Sequence, residues 1–160
     1  MSKTVPVIFG DTMFWAYDVA LGVLFIEAAR VCAEMPPDLQ AAWRPELEQD
    51  LRTHALVGSS FAVQLDEFGV QQRQVLLSCV AEAAGRIEAR GGVSLAEVST
   101  WPELQESATS FLRGAERIDA APLVELAEAL SELAAGTLPP APAERHWFYG
   151  ISKGRILQGS

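Results

Sequence analysis

The residues 4–34, TVPVIFGDTMFWAYDVALGVLFIEAARVCAE, decide how the rest of the chain is read. The opening segment, 4–9, is rich in β-branched residues, but Pro6 removes a backbone donor and confines it to an edge strand or an extended arm. From Asp11 or Thr12 onward the apolar positions Phe14, Tyr17, Leu21, Leu24, Ala28 and Val31 recur at helical spacing. Glu27, Arg30 and Glu34 form a polar stripe confined to the second half. The first half is apolar nearly all round, so the pattern predicts a central, buried helix running to Glu34 and stopped by Pro36 and Pro37.

Around that helix the remaining patterns are mostly helical as well. Residues 38–43 read as a short helix, and Pro45 starts another through Leu47, Leu51 and Ala55 to Gly58; two pieces or one kinked helix fit equally. Residues 59–69 alternate too weakly to assign. A long helix follows over 70–89, ended by Gly91-Gly92. Ser94 with Glu97 and Thr100 with Glu103 carry the capping-box pattern, predicting helices over 95–98 and 102–112. Asp119 caps a last helix that Gly136 closes. The expected fold is therefore mainly all-α, an orthogonal bundle of five to seven helices in one domain (1–138). Short strands or a hairpin are expected only at the termini.

The last segment, 139–160, changes character. It begins with Pro139, Pro140 and Pro142, an extended lead of low entropy. It continues into Arg145, His146, Trp147, Phe148 and Tyr149, with 152–154 able to turn a small hairpin. Arg145, Lys153 and Arg155 against Glu144 leave the tail at +2 and the body at −11. The aromatic run reads first as a strap packed on the helices. Its functional version places Trp147, Phe148, Tyr149 and Arg145 in a partner's groove, since such residues dominate binding hot spots.

Charge narrows the partners. With 12 basic and 21 acidic residues the chain carries −9, which disfavours nucleic acid and anionic membrane surfaces and makes a basic protein the natural complement. The charge-free run 19–26 falls far short of the roughly 20 residues that cross a bilayer. The apolar run 5–9 is shorter than a secretory core of about 7–15 residues. Cys32 and Cys79 sit in apolar, helix-patterned stretches where a free thiol behaves as a small hydrophobe, so a cytoplasmic, reducing setting is expected.

Catalytic signatures are weak throughout. Cys32, Cys79, His54 and His146 each stand alone on a different element, without paired ligand spacing, so no metal and no cofactor is expected. Ser59, Ser60, His54 and Asp66 supply the ingredients of a nucleophile triad but no positioned nucleophile. Asp18 is the exception, an acid ringed by Phe14, Trp15, Leu21 and Phe25. It reads as a structural acid with a buried partner, or as a pocket acid whose pKa burial would raise.

Two acidic faces remain. Glu125, Glu128 and Glu132 make one stripe of the last helix, and Glu46, Glu48 and Asp50 crowd another. Each is a solvated face or a surface that steers a basic protein. The sequence-level expectation is a non-enzymatic protein-binding domain, such as a small acidic inhibitor or immunity protein masking a basic effector like a toxin nuclease. The alternatives are an accessory subunit of a larger complex and a helical small-ligand binder built around Asp18.

Overall fold

The computed structural model describes residues 4–36, 41–57 and 61–159. It corrects the all-α expectation at the stretch that was to decide it. Residues Thr4–Phe9 (β1) and Thr12–Tyr17 (β2) form an antiparallel hairpin, and the first helix, α1, starts only at Asp18 (Asp18–Glu34). The turn is the two-residue Gly10-Asp11, with Gly10 at φ +59. A glycine at positive φ in the first central position gives a turn whose twist matches the flanking strands.

The misreading has a physical origin. Phe14, Ala16 and their neighbours are apolar at strand spacing as well as helix spacing. The structure buries Val5, Val7, Phe14 and Ala16 on one face of the hairpin and leaves Thr4, Pro6, Met13 and Trp15 only partly covered. Pro6 stands opposite Trp15, in a pair where its missing N–H points away from β2. On that side the neighbouring strand is only Val63–Gln64 (β3), parallel to β1 and opposite Val7 and Ile8. Pro6 therefore costs the sheet little.

The tail completes the sheet. Arg145–Tyr149 (β6) lies parallel to β2, with Trp15 beside Phe148 and Ala16 beside Tyr149, and Ile156–Gly159 (β7) pairs antiparallel to β6. The order is β3-β1-β2-β6-β7, a five-stranded mixed sheet, which makes the fold mixed α/β. A second, two-stranded ribbon joins Gly92–Ser94 (β4) to Arg117–Asp119 (β5). Gly92 is required there: at φ +137, an added Cβ would lie 2.4 Å from the Ile118 carbonyl oxygen.

The other helices are Arg44–Val57 (α2), Val70–Ala89 (α3), Leu95–Val98 (α4), Ala108–Phe111 (α5) and Ala120–Ala135 (α6). α3, α4 and α6 match the sequence expectation. Ser94 Oγ accepts the Glu97 N–H at 3.1 Å, and Gly136 closes α6 at φ +75. The helix expected over 102–112 is instead turns, a 3-10 segment and the short α5. Thr100 caps nothing there, its Oγ1 donating back to the Glu97 carbonyl at 2.6 Å. The expected stop at Pro37, the first half of the short helix over 38–43, and Gly58, Ser59 and Ser60 lie outside the described residues.

α1 is the hub, in contact with α2, α3 and α6, while α6 also packs on β1, β2 and β6. Phe14 meets Tyr149 edge to face at 5.0 Å, joining the hairpin to the tail strand inside the core. Among the described residues no helix is long and apolar enough to cross a membrane.

Candidate acidic-aromatic pocket

α2 carries Glu46, Asp50 and His54 at i, i+4 and i+8, one row along a helix face, with Leu47 and Leu51 buried on the side towards the core. Pro45 suits the first turn, where a missing N–H costs nothing. The chain then makes a 3-10 turn at Leu65–Glu67, and Gly69 caps α3, its N–H donating to Gln72 Oε1 at 3.0 Å. These pieces enclose a pocket of about 310 Å³ lined by Trp43, Glu46, Asp50, His54, Glu67 and Phe68, with Leu47 and Gln72 completing the wall.

Its electrostatics are one-sided. Glu46, Asp50 and Glu67 are solvent-exposed and make no ion pair among the described residues. The His54 ring is half-buried and meets Phe25 edge to face at 6.4 Å. Burial pushes its pKa below the usual value, while Asp50 and Glu67 push it back up; the balance is downward, which keeps the imidazole neutral at pH 7. The half-buried Trp43 and Phe68 add aromatic surface. Carboxylates beside aromatic rings can hold an organic cation by charge, hydrogen bonds and cation–π attraction.

The other sequence candidates are dispersed. Glu48 leaves this row: it pairs with Arg52 and lines a different depression, beside Cys32 and Met35. Glu128 and Glu132 flank a shallow groove of about 460 Å³ between α3 and α6, whose floor is Ala81, Ala84, Gly85, Val124, Ala127 and Ser131. Glu125 turns instead towards the C-terminal hairpin, its Oε2 3.9 Å from where a Cβ on Gly154 would stand. Tyr149 is buried in the core, and its hydroxyl accepts from Arg155 Nη1 at 3.2 Å. Trp147 Nε1 donates to the Pro139 carbonyl at 2.8 Å, and Arg155 stacks 4.2 Å over its ring. Phe148 is half-buried beside Trp15, and Arg145 is exposed at the start of β6.

Asp18 is buried in the first turn of α1, where Arg113 grips it: Nε donates to Oδ1 at 3.2 Å, and Nη2 donates to Oδ2. Its charge is met within the fold. Cys32 and Cys79, expected to stand apart, lie close enough across α1 and α3 to act on each other's ionisation.

Sequence reasoning singled out Glu46 and Asp50 but missed Trp43, Glu67, Phe68 and Gln72. The i, i+4, i+8 row of Glu46, Asp50 and His54 was the available signal. No family model, curated protein or solved structure matches the chain.

Proposed function

We propose that the chain is a cytoplasmic, non-enzymatic protein-binding domain for a basic partner, and that the α2 pocket anchors one Arg or Lys side chain of that partner. The supporting observation is the union, in one concave site, of Trp43 and Phe68 with three carboxylates that no cation of the described chain neutralises. An incoming guanidinium supplies the missing charge and stacks on the rings, and its planar fork suits carboxylates better than an ammonium does. Glu46, Asp50 and Glu67 are exposed before binding, so encounter is steered by charge and weakens as salt rises.

The narrower label of immunity protein or toxin inhibitor has no support in the fold or in the comparisons. The groove between α3 and α6 favours a second reading, an accessory subunit that seats a partner helix on its small-residue floor.

The test is a titration of the isotope-labelled chain with N-acetyl-arginine amide, followed by nuclear magnetic resonance. The resonances of Trp43, His54 and Phe68 should shift first, and the combined variant Glu46→Gln, Asp50→Asn, Glu67→Gln should abolish the shifts. Shifts that survive in the variant, or that map to the α3–α6 groove, sink the pocket as anchor.

A further inference from the structure

α1 ends at a cluster of sulfur. Cys32 and Met35 lie three residues apart, on one side of the helix end, where the Met35 N–H donates to the Cys32 carbonyl at 3.2 Å. Cys79 faces them from α3: its Sγ is 3.8 Å from Met35 Sδ, and its ionisation is coupled to that of the Cys32 thiol. Both cysteines are free and buried, at 4% and 1% exposure. Among the described residues no three His, Cys, Asp or Glu side chains gather as a metal site, so the third donor of this set is a thioether.

We propose that Cys32, Cys79 and Met35 form a three-sulfur binding site for copper(I) between α1 and α3. Thiolate and thioether are soft ligands that select a soft monovalent ion, whereas structural zinc takes four ligands and hard cations take oxygen. The spacing fits. A metal at the centre of three sulfurs with bonds of about 2.3 Å separates those sulfurs by roughly 4 Å, and the Cys79–Met35 separation is 3.8 Å before any metal arrives. The site also has an access route, a depression of about 280 Å³ lined by Cys32, Met35, Arg44 and Glu48.

Protons and charge balance without redox chemistry. Copper(I) replaces the two thiol protons, which leave to solvent, and the resulting bis-thiolate complex carries one negative charge. Arg44 acts on both sulfurs to favour their ionised form, and Arg52 acts on Cys32. Glu48 opposes them at Cys32. Because two thiol protons are displaced, loading must strengthen as pH rises.

The experiment is an anaerobic competition titration of the full chain against bathocuproine disulfonate, read at pH 7 and pH 8. One copper(I) per chain is expected, with affinity about a hundredfold higher at pH 8, because two protons are displaced. X-ray absorption should show three sulfur neighbours at about 2.3 Å. Met35→Leu conserves volume and should fold normally, yet bind roughly tenfold more weakly. Cys32→Ala and Cys79→Ala should each lose the site, with circular dichroism checking the fold. Wild-type binding no tighter than that of a folded cysteine variant, or undiminished affinity in Met35→Leu, would overturn the proposal, as would a spectrum dominated by nitrogen or oxygen.

Discussion

Two regions of this molecule treat their acids in opposite ways. Around α1 each buried carboxylate has an arginine: Asp18 has Arg113, and Glu27 shares Arg90 with Glu97, Arg90 Nη2 donating to Glu27 Oε1 at 2.6 Å and to Glu97 Oε2 at 2.9 Å. Glu103, also mostly buried, holds Arg30, which stacks 4.5 Å over Trp101. On α2, in the 3-10 turn beside it and along the α3–α6 groove, Glu46, Asp50, Glu67, Glu88 and Glu128 are exposed and make no ion pair among the described residues. The lesson is a division of labour. Acids inside the fold must have partners because an unpaired buried charge is costly, whereas acids left open in water cost the fold almost nothing and stay available.

The contrast breaks most visibly at Arg113. Replacing it by Ala strands Asp18 and should lower unfolding free energy by about 3 kcal/mol, measured by urea denaturation, with Asp18→Asn in the same background recovering part of the loss. A loss below about 1 kcal/mol would mean that the pair is solvated and the contrast false. Next comes Arg90→Ala, which strips Glu27 and Glu97 together and should cost about 2 kcal/mol in the same assay. The pocket variant Glu46→Gln, Asp50→Asn, Glu67→Gln sharpens the other side: its stability should stay within about 0.5 kcal/mol of wild type while cation binding disappears. A large loss of stability there would make those acids structural.

The smallest effect is a matter of pH. His54 has a pKa lowered by burial from 6.5, so below that value the unfolded chain takes up the proton before the folded one does. Stability is thus highest above pH 6.5 and falls as pH drops towards the lowered folded value. His54→Gln should remove that component of a pH–stability profile. Below that lowered value a protonated His54 adds a positive charge among Asp50, Glu67 and Glu46, so affinity for a cation should fall on further acidification.

Much of this was legible from residues alone, and the failures are instructive. α3 and α6 announced themselves because their 3.6-residue periodicity agrees with the glycines that end them, and α4 because Ser94 caps it. The hairpin was lost because an all-apolar run satisfies either period; the deciding mark was Gly10-Asp11, a two-residue turn between β-branched and aromatic runs. The last strands were half visible as a possible hairpin. Their parallel pairing with β2 was not, since local sequence does not encode a partner so far away. The pocket was legible as a row on one helix, but its far wall depends on how the 3-10 turn at Leu65–Glu67 sits against α2. The sulfur cluster likewise depends on the packing of α1 against α3, so Cys32 and Cys79 looked isolated until both helices were placed.

The pairing of β6 with β2 sets a timetable for the chain. Trp15 and Ala16 are made well over a hundred residues before their strand neighbours, Phe148 and Tyr149. Until those emerge from the ribosome, the hairpin presents an open edge and the apolar ring of Phe14 lacks its cover. A nascent chain halted after α6 should therefore hold native helices with an unsealed sheet, and protease or chaperone access to β2 should end only once residue 149 is free to dock.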